Sequence, residues 1–260
     1  MTGRLAQRYI AVTGAAQGIG LAIARDFAAE GADLFLVDLD ESLLLRSAAA
    51  LRAEFGDRRI LTAAADIRDH ASIEAVFAAA AGAERPFDGL VNNAGVNVFH
   101  DPLETSAAEW RRCFEINLEG AWACIRAVLP GMIERRHGVI LNIASTHAFT
   151  IIPGTFPYPV AKHALLGLTK SLGLEYADRG IRVNALAPGY VATQKAIDWW
   201  NAAPDPEAAR AETMALHPQG RIATPEEIAR AAVFMISDEC PFMTATCLTV
   251  DGGLSVRHHA

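Results

Sequence analysis

Tyr158 and Lys162 stand four residues apart, and Ser145 lies thirteen residues ahead of the tyrosine. In a helix that interval puts two side chains on one face, a turn apart. Helix is the reading for this stretch. Pro159 falls in its first turn, where a missing N–H costs nothing, and Ala164, Leu165, Leu168, Leu172 and Leu174 follow at three-to-four spacing. An ammonium beside a phenol favours the phenolate and draws its pKa down toward working pH. Tyr158 is then a candidate general acid/base for interconverting a carbinol and a carbonyl, with the Ser145 hydroxyl to hold the substrate oxygen. A Tyr-x-x-x-Lys pair also recurs on ordinary amphipathic helices. The elements that must position it decide its weight.

The first of these is a short apolar run at 9–13, followed by Gly14-Ala15-Ala16-Gln17-Gly18-Ile19-Gly20 and a helical pattern through Leu21, Ile23, Ala24, Phe27 and Ala28. Strand, glycine turn and helix together point to a dinucleotide site, the alternative being a purely structural strand-to-helix turn. Gly14 allows the tight turn, Gly18 lets backbone approach a pyrophosphate, and Gly20 lets the helix lie close on the strand, with the helix N-terminus facing the negative charge. The spacing is Thr-Gly-x-x-x-Gly-x-Gly, not the archetypal GxGxxG. A second run at 33–37 ends at Asp38, about 20 residues past the glycines, where a carboxylate accepts hydrogen bonds from a ribose and repels a 2′-phosphate. Neither 15–17 nor Leu39-Asp40 offers a cation to that phosphate, so NAD is favoured over NADP. Asp38 or Asp40 also suits the N-cap of the next helix.

Further runs at 60–65, 88–91, 139–143, 182–186 and 247–250 alternate with helical patterns. Asp66-Ile67 ends the third run, placed to meet an adenine, and Asn92-Asn93-Ala94-Gly95 ends the fourth. Ser106 and Glu109 form a capping box for one long helix through Trp110, Phe114, Leu118, Ala121, Ile125 and Val128. Asn117 inside that pattern either holds a kink or an internal water, or faces solvent. The fifth run delivers Ser145 to the carboxyl edge of the sheet, where ligands bind in open α/β folds. From Gln194 to Gln219 the pattern is irregular. Thr224-Pro225-Glu226-Glu227 then restarts a helix. The expectation is one α/β domain over residues 1–260, a doubly wound, Rossmann-like parallel sheet in three layers with right-handed crossovers, carrying a substrate loop at about 190–220.

Composition bounds the functions open to such a chain. Half of the 260 residues are hydrophobic and a fifth charged, which suits a packed globule and not a disordered chain. A net charge of −7, with no Lys/Arg run, disfavours nucleic acid and anionic membranes. Cys113, Cys124, Cys240 and Cys247 show neither CxxC pairing nor metal-ligand spacing and read as buried thiols in a reducing compartment. No metal site is expected. No signal peptide precedes the first strand and no apolar run approaches the ~20 residues of a membrane span, so the expected location is cytoplasmic.

Assembled in this order, Thr13 to Gly20, Asn92 to Gly95, Ser145, Tyr158, Lys162 and Pro188-Gly189 resemble the short-chain dehydrogenase/reductase family over essentially the whole chain. The resemblance implies a seven-stranded sheet, a homotetramer or homodimer, and a catalytic set of Asn117, Ser145, Tyr158 and Lys162. Tyr158 would exchange the proton, Ser145 bind the substrate oxygen, Lys162 lower the tyrosine pKa and hold the nicotinamide ribose, and Asn117 position a relay water. NAD would lie along Gly14, Gln17, Gly18, Ile19, Gly20, Asp38, Leu39, Asp66, Ile67, Asn93, Ala94, Gly95, Pro188, Gly189, Val191 and Thr193, with Val191 and Thr193 at the carboxamide. The family's frequent second serine is Thr146 here.

The substrate reading rests on Asn97, Ser145, His147, Tyr158, Tyr190, Gln194, Trp199 and Trp200. Polar groups beside paired tryptophans suit a sugar, which offers hydroxyls to one and C–H faces to the other. Asp198-Trp199-Trp200 and Leu216-His217-Pro218 are similar to aldose 1-dehydrogenases of the L-fucose and galactose type, which oxidise C1 to a lactone. Trp199 and Trp200 suit lid or interface core equally. Alternatives are a 3-oxoacyl-thioester reductase, or another alcohol or polyol dehydrogenase. The former would use NADPH and a basic patch for its acidic carrier, which Asp38 and the acidic charge oppose. A non-catalytic NAD sensor would have little use for Ser145, Tyr158 and Lys162 together.

Overall fold

Seven of the apolar runs become strands because each can be covered on both faces, which is why they read as continuous and not alternating. In the computed structural model, which describes residues 3–257, the strands in chain order are β1 (Tyr9–Thr13), β2 (Asp33–Asp38), β3 (Ile60–Ala64), β4 (Gly89–Asn92), β5 (Phe99–His100), β6 (Gly138–Ile143), β7 (Phe156–Pro157), β8 (Ile181–Pro188) and β9 (Cys247–Val250). All but β5 and β7 form one parallel sheet of order β3-β2-β1-β4-β6-β8-β9. The strand order reverses between β1 and β4. Crossovers leave in opposite directions there and open a crevice at the carboxyl ends.

The helices are α1 (Gly18–Ala29), α2 (Glu41–Glu54), α3 (His70–Ala83), α4 (Ala107–Phe114), α5 (Gly120–Arg135), α6 (Tyr158–Glu175), α7 (Gln194–Asn201), α8 (Pro206–Ala215) and α9 (Pro225–Ile236). Ile10 and Val12 point to one face of the sheet, into a core with Ile23, Phe27, Leu44 and Ile228 from α1, α2 and α9. Tyr9 and Ala11 point to the other, with Phe77, Ile125 and Leu172 from α3, α5 and α6. Burial of these faces supplies the main stabilisation, at about 25 cal/mol per Å² of apolar surface. No helix of the described residues is long and apolar enough to cross a membrane.

Three local features differ from the sequence reading. The single long helix after Ser106 is broken by a π-turn, Glu115–Glu119, between α4 and α5. The capping box of Ser106 and Glu109 is present. The stretch from Gln194 to Gln219 is not irregular: it carries α7 and α8. Thr193 caps the first, and Asp205, accepting from Ala208 N–H at 3.0 Å, caps the second with Pro206 at its first position. Finally, β5 and β7 pair as a two-residue antiparallel ribbon, bringing the segment after Asn97 against the entry to α6.

Candidate active site

The glycine turn is locked to the end of β4 by side chains at both ends. The Thr13 hydroxyl accepts the N–H groups of Asn93 and Ala94, each at 3.1 Å, and the Asn93 amide donates to the carbonyls of Thr13 and Gly14 at 3.0 Å. Gly14 has φ +63°, and a Cβ there would lie 2.9 Å from Ala94 Cα. At Gly20 a Cβ would lie 2.1 Å from the Gly14 carbonyl. These two positions exclude a side chain outright, so turn and helix meet as backbone. The helix they open, α1, begins without a side-chain cap and without an acid in its first turn. Its first N–H groups are therefore left for a ligand.

That helix start borders a groove of about 480 Å³ whose walls include Gly14, Gln17, Gly18, Ile19, Asp38, Leu39, Asp66, Ile67, Asn93, Ala94, Gly95 and Thr193. The Asp38 carboxylate accepts from Ala16 N–H (2.9 Å) and Asp40 N–H (3.1 Å), which fixes it at the groove edge, while Asp40 caps α2. Asp66 is paired with Arg68 at 2.5 Å, whose hydrogen bonds hold its carboxyl below the usual range, so that carboxylate is already engaged. Arg68, Arg112 and Lys195 also line the groove, and none of them stood out in the sequence. Arg68 lies four residues past the end of β3, Arg112 on α4 three residues ahead of the π-turn, and Lys195 two residues past the Thr193 cap.

A smaller cavity of about 160 Å³ continues from the groove and shares Ile19, Asn93, Gly95 and Val96 with it. Ser145, Tyr158, Lys162, Asn117, Asn97, Pro188 and Gly189 line it. The strand end of β6 carries Ser145, the first turn of α6 carries Tyr158 and Lys162, and the π-turn carries Asn117. Lys162 is buried, donates to the Ile143 carbonyl at 2.9 Å, and lies 5.5 Å from the Tyr158 ring centre. Burial drives the phenol up to about 12, partly opposed by the Ser145 hydroxyl, and pulls the ammonium down to about 8. The expectation that Lys162 depresses the tyrosine is thus overturned for the protein alone. Desolvation disfavours both charged forms, and one of the three ammonium N–H groups is engaged by the Ile143 carbonyl.

Asn117 is buried from solvent and lines the smaller cavity. Its Oδ1 accepts from Val96 N–H (3.2 Å), and its Nδ2 donates to the carbonyls of Val96 and Cys113, both at 3.0 Å. Both amide protons and one of the two Oδ1 acceptor sites thus hold the segment Gly95–Val96 that lies between the two cavities. A Cβ at Gly95 would lie 2.9 Å from its Oδ1.

Several of the expected contacts fall outside both cavities. Gly20 is internal to the turn, and Val191 is buried in a bridge to Ala223. His147 stands beside the phenol, ring centres 5.8 Å apart, with Phe99 at 5.5 Å from Tyr158, and burial keeps its imidazole below the usual value. Gln194 lines the larger groove, not the smaller cavity, and donates to Asp198. Tyr190 packs edge-on against His217. The paired tryptophans are not a pair in space. Adjacent helical residues project about 100° apart, so Trp199 is 60% exposed while Trp200 is buried with its indole on Thr213. No cluster of three or more metal-ligating side chains occurs among the described residues.

With this geometry in place, known proteins can be compared. A family model described as enoyl-(acyl carrier protein) reductase matches residues 14–255. The 2-(S)-hydroxypropyl-CoM dehydrogenase 3 of Xanthobacter autotrophicus is 39% identical over 256 residues, covering 98% of this chain and 99% of that one. A galactitol 2-dehydrogenase (L-tagatose-forming) of Cereibacter sphaeroides is 42% identical, covering 95% and 94%. The L-sorbose reductase of Gluconobacter frateurii, solved with NADPH and L-sorbose, superposes with a TM-score of 0.94 at 31% identity, covering 99% and 100%.

Proposed function

This chain belongs to the short-chain dehydrogenase/reductase family of oxidoreductases, and from that premise we propose that it is an NAD-dependent dehydrogenase oxidising a secondary carbinol of a sugar or polyol. The observation that carries the reading is the convergence of Ser145, Tyr158 and Lys162 on one small cavity that opens into the glycine-walled groove. The groove suits a dinucleotide. Its turn admits no side chain at Gly14 or Gly20, the α1 terminus is uncapped, and Asp38 lines it with a carboxylate that can accept from ribose hydroxyls. A bound nicotinamide supplies the hydride acceptor. The protein's own residues handle the oxygen and the proton. Ser145 holds the carbinol oxygen, the Tyr158 phenolate takes its proton, and Lys162, in the same cavity, would hold the nicotinamide ribose. Asn117 holds the Val96 backbone between the two cavities.

The aldose form of the reading oxidises C1 to the lactone. The polyol form oxidises an interior carbinol, as the names of the galactitol and sorbose enzymes describe for those proteins. With Trp200 buried away from the cavity, nothing favours a flat ring over an open chain, and Asn97 offers its amide to hydroxyls in either case. The test is a panel of aldoses, including L-fucose and galactose, with polyols and simple alcohols, each with NAD and with NADP. Turnover of a polyhydroxy substrate with NAD supports the proposal, and activity confined to 3-oxoacyl thioesters with NADPH would replace it. Asp38→Ala should narrow the preference for NAD over NADP by about tenfold or more in kcat/KM, since one carboxylate bond to a ribose is worth about 1.5–3 kcal/mol. An unchanged ratio would remove Asp38 from cofactor choice.

A further inference from the structure

Gly189 walls the catalytic cavity just beyond β8, and the residue after it is held by a buried histidine. Tyr190 N–H donates to His217 Nε2 at 3.4 Å, and His217 Nδ1 lies 3.0 Å from the Thr213 carbonyl. Both contacts are satisfied by one species only, the neutral ring with its proton on Nδ1 and a bare Nε2. His217 is 3% exposed, so water does not compete for either nitrogen. The Tyr190 carbonyl is separately held by Ala223 N–H at 3.0 Å. His217 is thus the partner for the N–H side of that peptide.

Thr213 links the same ring to the rest of the segment. Its hydroxyl accepts the Trp200 indole N–H at 3.1 Å and donates to Ala209 at 2.8 Å. One unbroken chain of hydrogen bonds therefore runs from Trp200 on α7, through Thr213 on α8 and His217, to the backbone beside Gly189. The junction has no slack: a Cβ at Gly189 would lie 3.2 Å from His217 Nε2 and 3.1 Å from Asp251. His217 lines neither cavity. Nor do Tyr190 and Thr213, which it bonds; the residue before Tyr190, Gly189, walls the smaller one, and the start of α7 (Thr193, Gln194, Lys195), the helix that carries Trp200, edges the larger.

We propose that His217 is a positioning residue that ties the α7–α8 segment to the Gly189–Tyr190 backbone, so that the wall of the catalytic cavity and the edge of the nucleotide groove keep one shared geometry. The assignment rests on reading that cavity as a dehydrogenase site. The test compares His217→Met, which keeps bulk and loses both bonds, with His217→Gln, whose amide can accept from Tyr190 and donate to Thr213. Amide hydrogen exchange over residues 190–201 and steady-state kinetics are read on both. In His217→Met exchange should quicken across that stretch and KM should rise about tenfold, the scale of one buried hydrogen bond, with kcat kept within about threefold. His217→Gln should return both toward wild type. Wild-type protection in His217→Met, or a His217→Gln variant as impaired as His217→Met, would overturn the assignment. If neither variant folds, Trp200→Phe cuts the same chain further out and should loosen α7 alone; unchanged exchange there would also overturn it. A wild type that oxidises no alcohol would remove the dehydrogenase reading instead, and the exchange comparison would still decide the role of His217.

Discussion

Desolvation sets the resting protonation of Tyr158 and Lys162, and the sign of its effect differs between them. Oxidation requires the phenolate. With the phenol held up to about 12, its charged fraction grows up to about tenfold per pH unit through the neutral and alkaline range. kcat/KM for oxidation should therefore climb with pH, while carbonyl reduction, which needs the protonated phenol, should not. Tyr158→Phe should abolish both at every pH yet leave nucleotide binding intact. Parallel pH–rate profiles in the two directions check this, and substantial turnover by the Phe variant would remove Tyr158 from the chemistry. For Lys162 the linkage runs differently. Unfolded, the amine keeps its proton up to 10.5; folded, it gives it up above about 8. The folded state thus carries a penalty that is full below pH 8 and fades as pH rises toward 10.5. At pH 7 that penalty is on the order of 2–3 kcal/mol, offset in part by the bond to Ile143. Lys162→Met should accordingly be at least as stable as wild type at pH 7 in denaturant melts, and catalytically dead. A clear loss of stability would show that the buried ammonium is stabilising instead.

Among the elements, the π-turn carrying Asn117 is the one that depends on a distant contact. Three hydrogen bonds tie its amide to Val96 and Cys113. Asn117→Ala would leave buried backbone groups of Val96 short of partners, at a cost of about 2–3 kcal/mol. It should lower both the melting temperature and turnover, and an equally stable, active variant would refute the role. This element also marks how far the sequence could be read. Strand, glycine turn and α1 were legible because hydrophobic run, turn residue and helix period sit side by side. So were the Ser106 and Thr224 capping boxes, whose partners are three residues away. Asn117 was ambiguous since the groups it binds lie 21 residues off in sequence. The helices α7 and α8 were masked by Pro204, Pro206 and Pro218, although Asp205-Pro206 is itself a helix start. The exposure of Trp199 and burial of Trp200 follow from a helical phase that could be set only once α7 was known. The direction of the Tyr158 shift was hidden too, because spacing shows which groups are neighbours but not how dry they are.

For the whole molecule, both faces of the sheet are covered within one chain, and the large apolar side chains left exposed are spread over helix exteriors and loops. Leu174 on α6 is 80% exposed and Phe242, after α9, fully so. We expect a homodimer or homotetramer, as the family resemblance implies, and sedimentation velocity at micromolar concentration checks it; a monomer at every concentration would refute it. The reversal of strand order between β1 and β4 places the groove where two oppositely directed crossovers part. The residues proposed for chemistry therefore gather at the carboxyl edge of the sheet.

Of the helices that start afresh, α1 and α6 are the two without a side-chain cap, and each opens onto a cavity. Most proteins finish such ends with their own serine or aspartate; here completion of α1 is left to whatever anion arrives. With the proposed nucleotide as that anion, the stability of the protein follows its occupancy. A ligand at a hundred times its dissociation constant adds about 2.7 kcal/mol of protection, so copies starved of nucleotide would be the first that a protease clears.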